Sequence, residues 1–472
     1  MSTDQQVAHA GAAMLENVII LVRDSVTVLV RLCPQITAVW LLGWLGDQLS
    51  VRAAAILGDT SGWAAVVVFS AGFLFDLVAV VVILRLAGAE LGIRALVPPT
   101  EDASTGAAGD DSLTRLVAVT LLPFLGLYSA FGLVDAKAQQ LTNEQFFRDG
   151  VFTGGPSVLS SVRGLAERHA WWMVGLLVGV YVLRRAVDHL HERTGIRLLG
   201  ILTAVVESFF LLVVIYGGWV LLQRPGEWAS DRVAAAWFDA AGRAVGHALA
   251  ALHPHLPELV RRFGSFLADP VWPMFSDVVS QPIIWLAVAA LVYGSQVLSL
   301  AELWRRGQPA AARVLGASRF DRYREKRALL PTAPVAVRRV GGQVQEAFLG
   351  DIDDKYLPTL HSLRLVLRAG VGFLGAFVFV YALVQIGQSS ARRLSYAVLG
   401  GHDIGFWYQA GPVLSLVTSL PWEPLRLCLL AVAFRRCLEL FRQRSEREAA
   451  LRQAQGATQA EAVPGPVTGV PA

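Results

Sequence analysis

The sequence predicts an all-α fold, a polytopic helical membrane bundle of about eight transmembrane helices, and three observations carry that expectation. Of 472 residues, 54% are apolar and only 17% are charged, and the mean hydropathy is +0.50. A water-soluble chain of this make-up lacks the polar side chains to cover its own surface. The apolar residues also come in runs that approach the ~20 residues needed to cross a hydrocarbon core of ~30 Å. Finally, the basic residues gather in alternate connecting segments, as the positive-inside rule requires.

Residues 1–30 read as an interfacial helix, because Glu16, Arg23, Asp24, Thr27 and Arg31 fall near one face at helical spacing. Pro34 stands where a first span can begin. The region 31–300 is expected to hold six spans, at 31–48, 63–84, 116–134, 169–183, 198–222 and 282–300. Pro123 kinks the third. Trp171 and Trp172 open the fourth, and Arg184 and Arg185 close it, as interfacial anchoring demands. A polar linker at 98–111 follows the second span. An outer amphipathic segment, 224–281, carries Trp228, Trp237 and Trp272. A basic cytoplasmic loop at 301–364 leads to a last hairpin, 365–434, with spans at 365–386 and 412–434. The tail, 435–472, is a charged helix ending in a Gly/Pro/Ala stretch expected to be disordered.

Segments that this layout places inside hold 28 basic residues, and those placed outside hold 12. Both termini are therefore expected in the cytoplasm. Arginine outnumbers lysine heavily, with only Lys137, Lys326 and Lys355 present, and asparagine occurs only at Asn17 and Asn143. This bias suits a GC-rich bacterial genome and hence the bacterial inner membrane. The first apolar stretch carries Arg23 and Asp24, so insertion through the chain's own helices is expected rather than a cleaved signal. A faint repeat is visible as well. Arg52 through Gly58 leads to Gly62-Trp63 and a span, and Arg393 through Gly400 leads to Gly405-Phe406-Trp407 and another. Both would be hairpins of the same direction.

Soluble-type chemistry finds little footing. None of the three lysines follows a glycine, so no Walker A loop exists, and no HExxH, GxSxG or CxxC occurs. Cys33, Cys428 and Cys437 read as small packing residues. His247, His253 and His255 with Glu258, and His189 and His191 with Asp188 and Glu192, lack spacing that brings ligands together. Asp351, Asp353 and Asp354 could hold Mg²⁺ beside a diphosphate, but aspartates ahead of a membrane helix are ordinarily a solvated lead-in. No cofactor or metal is expected, and an enzyme is the less favoured class. The bilayer is the expected partner, with a protein partner at loop 301–364 or the tail, and no nucleic acid.

Charges inside the apolar runs are the informative residues, since each costs ~2.5–3.5 kcal/mol near the bilayer centre on insertion scales. Asp76 lies deep in the second span, Glu207 in the fifth, and Glu423 in the eighth with Arg426 three residues on. Pro421 and Pro424 should break or kink the eighth span around Trp422, with Arg426 facing Glu423. Asp76 is expected to face the bundle interior as a titratable group. The expected function is movement of a solute, ion or lipid across or within the membrane, using Asp76, Glu207 and Glu423. The alternative is a non-catalytic scaffold or complex subunit, and a membrane enzyme acting on a lipid-linked substrate comes third.

Overall fold

A computed structural model of the chain describes residues 3–96, most of 117–149, 170–194, 197–215, most of 256–293, and 370–461. Among the described residues every regular element is a helix. The linker at 98–111, Pro123, the histidines at 247, 253 and 255, the aspartates at 351, 353 and 354, the whole basic loop 301–364 and the end of the tail lie outside them.

The first two helices, α1 (Thr3–Arg31) and α2 (Cys33–Gly58), meet at a bend of 81°. Pro34 sits in the first turn of α2, where its missing N–H cannot continue the ladder from α1. Single bonds on either side, Leu32 N–H to Val28 and Ile36 N–H to Leu32, hold the corner. α2 then turns at Asp59–Ser61 into α3 (Gly62–Glu90), whose first turn is capped by the Ser61 hydroxyl accepting from Ala64 N–H. The α2–α3 hairpin packs closely because small residues line its seam. A Cβ at Gly43 would come 2.6 Å from that of Ala79, and one at Gly72 would come 2.9 Å from Asp47 Oδ1.

Helical residues between 117 and 129 lead through Gly132 into α4 (Leu133–Asp149), a polar helix that lies along α2. A second hairpin, α5 (Ala170–Thr194) and α6 (Arg197–Val213), packs on α3 through α6. After the short amphipathic α7 (Leu256–Phe266) comes the apolar α8 (Gln281–Tyr293), entered through one π-helical turn at Ser276–Ser280. The last hairpin is α9 (Val371–Leu399) and α10 (Ile404–Ser419), the latter capped by Asp403 accepting from Gly405 and Phe406 N–H. α11 (Trp422–Glu461) follows after a break at Leu420 and Pro421.

Among the described residues three helices are long and apolar enough to cross a membrane: Gly62–Glu90, Gly372–Leu399 and Ile404–Gln443, the last running through the break at Pro421. The bent pair Met14–Arg31 and Cys33–Gly58 makes a fourth if it counts as one span. Leu202–Val213 and Val278–Tyr293 are apolar but shorter. Among the described residues the fold is all-helical with three to four candidate spans, and several of the other expected spans fall partly outside those residues. α5 is not among the candidate spans, and it carries Arg184, Arg185, Asp188 and His189 in its second half.

Four helices outrun their expected ends, α3 reaching Glu90 and α5 reaching Thr194 among them. α2 continues past residue 48 to Gly58, and α9 past residue 386 to Leu399, since neither meets a strong stop before its terminal glycine. At Gly400 the backbone takes φ +76°, a conformation that glycine adopts without strain. The segments of the faint repeat, from Arg52 and from Arg393, are thus the last turns of α2 and α9. Each is followed by a polar N-cap, Ser61 or Asp403.

The core lies between α3, α8, α9 and α11. One end of it is almost wholly apolar: Leu77, Val81 and Leu84 of α3, Leu286 and Val292 of α8, and Leu430 and Phe434 of α11 are all nearly inaccessible. The Tyr293 ring stacks on Phe434 at 5.1 Å, and its hydroxyl donates to Leu84 O at 2.6 Å. That bond leaves the phenol satisfied in an apolar setting.

Candidate functional site

Asp76 stands fourteen residues from either end of α3, so about 21 Å of helix lies on each side of it. The side chain turns inward, toward α2 and α4. Lys137, in the first turns of α4, places its Nζ 2.6 Å from Asp76 Oδ2 and also pairs with Asp47 Oδ1 of α2. The ammonium lies over the Phe73 ring, 5.1 Å from its centroid. A single lysine thus joins two carboxylates from the two arms of the first hairpin. Gly72 is what lets Asp47 sit so close to α3, since any side chain there would strike the carboxylate.

Glu423 and Arg426 lie in the first two turns of α11. Arg426 Nη2 is 2.5 Å from Glu423 Oε2, and Gln388 Nε2 of α9 donates to Glu423 Oε1 at 3.1 Å. The guanidinium lies 4.9 Å from the Trp285 ring centroid of α8 and beside the buried Tyr381 of α9. Between the two ionic groups sits Tyr128. Its ring is 6.1 Å from Phe73, which Lys137 covers, and 6.3 Å from Trp285, which Arg426 covers. The Glu423 charge is felt at Asp76, and Tyr128 feels the charges of Asp76, Glu423 and Arg426 together. Asp76 and Glu423 therefore belong to one neighbourhood.

In that neighbourhood three carboxylates, Asp47, Asp76 and Glu423, face two cations, Lys137 and Arg426. Among the described residues the cluster holds one formal negative charge in excess. Burying five charges is costly, and the cost is tolerable only with close pairing of this kind. The uncompensated charge is chemically useful, because a proton or another monovalent cation would neutralise it.

Glu207 does not join the cluster. It is 2% exposed and lies 3.4 Å from Arg184 Nη2, tying α6 to α5. Its neighbour Ser208 donates to Ser70 O at 2.8 Å and so fixes α6 on α3. Ser70 and Asp76 are six residues apart, which puts them on well-separated faces of α3.

Two polar rows run from the cluster toward the α2–α3 turn. On α4, Lys137, Gln140, Glu144 and Arg148 recur at spacings of three or four and meet Asp47, Gln48 and Arg52 of α2 and Asp59 of the turn after it. Gln140 Nε2 donates to Gln48 Oε1 at 3.0 Å, Arg52 Nε lies 3.7 Å from Glu144 Oε1, and Arg148 pairs with Asp59. Both series rise in number together, so α4 and α2 run parallel. On α9, Tyr381, Gln385 and Gln388 form the second row, with Gln385 donating to Gln281 at 3.0 Å.

Reasoning from sequence singled out Asp76, Glu207, Glu423 and Arg426 but missed Asp47 and Lys137. Asp47 reads as the outer edge of a span that ends at residue 48, whereas α2 carries on for ten more residues. The available signal for Lys137 was its rarity together with the helical row Lys137, Gln140, Glu144 and Arg148. Among the described residues no three His, Cys, Asp or Glu side chains stand as a metal ligand set. No family model matches the chain, and neither the curated proteins nor the solved structures include one significantly similar to it.

Proposed function

We propose that this chain is a multi-pass protein of the bacterial inner membrane, of about eight spans with both termini inside, that moves a solute, ion or lipid using a proton held at the Asp47–Asp76–Lys137 and Glu423–Arg426 cluster. The observation that carries the reading is the excess of one negative charge halfway along the most apolar of the long helices. Intramembrane ionisable groups are costly, and ion pathways and proton relays are among the roles they mark. A proton suits the cluster better than a metal ion, because the carboxylate oxygens already accept from ammonium, guanidinium and amide groups. Few lone pairs remain to build an ion's oxygen shell. Glu207 serves as a helix tie through Arg184.

The test is proton flux in proteoliposomes loaded with pyranine, driven by a potassium diffusion potential. Wild-type protein is expected to conduct above empty vesicles, and Asp76→Asn, which keeps shape and hydrogen bonding, to lose at least about tenfold of that flux. Equal flux through the two proteins, or none through either, removes the reading.

A scaffold reading has one observation in its favour. α11 extends to Glu461 with surface pairs Arg435–Glu439 and Arg442–Glu446 at helical spacing, a charged rod fit for docking a protein. On that reading Asp76→Asn leaves function intact, and truncation after residue 443 abolishes it.

A further inference from the structure

The two halves of the bundle on either side of Asp76 differ sharply in chemistry. Toward the α2–α3 turn, the α2–α4 seam offers Asp47–Lys137, Gln48–Gln140, Arg52–Glu144 and Asp59–Arg148 in succession. Eleven residues of α4 separate the first rung from the last, a path of about 17 Å. Exposure rises along it. Asp47 is buried, Gln48 and Gln140 are partly exposed, and the outer two rungs, Arg52–Glu144 and Arg148–Asp59, are open, with Arg52 the most exposed at 59%. Such rungs exchange hydrogen bonds readily with water.

Toward the other end, where α3 packs on α11, Leu77, Val81, Leu84, Leu430, Ala431 and Phe434 have nearly no accessible surface. Among the described residues the hydroxyls there on Tyr293 and Thr120 commit their protons to the carbonyls of Leu84 and Val117. Packing of this density excludes water, and an excess proton cannot cross it without a chain of hydrogen bonds.

We propose that the α2–α4 seam is a hydrated half-path that delivers protons to Asp47 and Asp76 from the face bearing the α2–α3 turn, and that the apolar block beyond Asp76 closes the opposite face in this conformation. The proposal rests on the proton reading above and adds its route and sidedness. A proton arriving by water at Gln48–Gln140 bonds to a carboxylate oxygen of the Asp47–Asp76 pair. The water regains its lone pair and the cluster becomes neutral. No other bond changes.

Sidedness is read by substituted-cysteine accessibility in the full-length chain, with Cys33, Cys428 and Cys437 replaced by alanine. Thr60→Cys marks the face of the α2–α3 turn, and a small cationic methanethiosulfonate is applied to each face of sealed vesicles. Gln140→Cys and Gln48→Cys are expected to react from the Thr60 face at least about tenfold faster than Leu84→Cys or Leu430→Cys from either face. Two seam positions guard against the loss of one variant to misfolding. Seam cysteines that stay unmodified while Thr60→Cys reacts, or block cysteines that react as fast as the seam, overturn the half-path. The flux measurement decides the proton reading separately, because labelling does not depend on transport.

Discussion

Lys137→Met is the sharpest test of the buried cluster, because one substitution strips the cation from two carboxylates at once. At 2.6 Å the attraction to Asp76 alone corresponds to about 6 kcal/mol at an effective dielectric of 20, before desolvation is subtracted. Removing one member of a buried pair typically costs ~3–5 kcal/mol, since the remaining charge stays buried without a counter-ion. The protein has one escape, which is to protonate a carboxylate. For an ordinary aspartate at pH 7 that costs about 4 kcal/mol, which caps the damage at a similar figure. The expected loss for Lys137→Met is therefore ~3–5 kcal/mol. Asp76→Asn combined with Lys137→Met returns the cluster to its original formal charge and should recover at least ~2 kcal/mol of that loss. Asp59→Asn breaks the outermost rung, where both side chains are well exposed, and should cost under ~1 kcal/mol. Reversible unfolding in mixed micelles of rising SDS fraction measures all four proteins. A single Lys137→Met loss below ~1 kcal/mol, or a double mutant no better than the single, would show that the lysine is not the counter-ion that holds the hairpin.

Two further outcomes follow from the same geometry. Glu423→Gln leaves Arg426 buried against Trp285 without its counter-charge and should destabilise by ~3–5 kcal/mol in the same assay. A change under ~1 kcal/mol refutes the pairing as a structural necessity. Gly72→Ala puts a methyl into Asp47 Oδ1 and should cost ~1–3 kcal/mol by forcing α2 and α3 apart. If Asp47→Ala relieves none of that cost, the clash lies elsewhere.

What the sequence makes legible is local. Long apolar runs announce α3 and α9, and prolines announce the corner at Pro34 and the break at Pro421. An acid and a base three residues apart announce the Glu423–Arg426 contact, because helix geometry alone brings them together. Asp47 and Lys137 are ninety positions apart in number and meet only through the parallel packing of α4 on α2, which no periodicity within one helix encodes. For the same reason Asp76 looks like a lone carboxyl in its own run, although it has a cation in contact. Glu207 shows the converse. Its sequence context matches that of Asp76, but α6 presents it to Arg184 and away from the cluster.

The corner at Pro34 has a consequence for how the chain comes together. It sends α1 away from α2 and lays it against α9 and α11, burying Leu21 and Val28 there and bringing Met14 to Gly375. Arg31 at its end reaches Glu90 at the end of α3 at 2.9 Å. α1 is synthesised long before α9 and α11, and among the described residues those two helices make most of its packing contacts. During translation the apolar face of α1 must wait, held by lipid or by another protein, while the intervening chain is inserted. Assembly therefore brings late helices onto an early one, and a ribosome that stops short of residue 371 leaves α1 without the two helices that bury Leu21 and Val28.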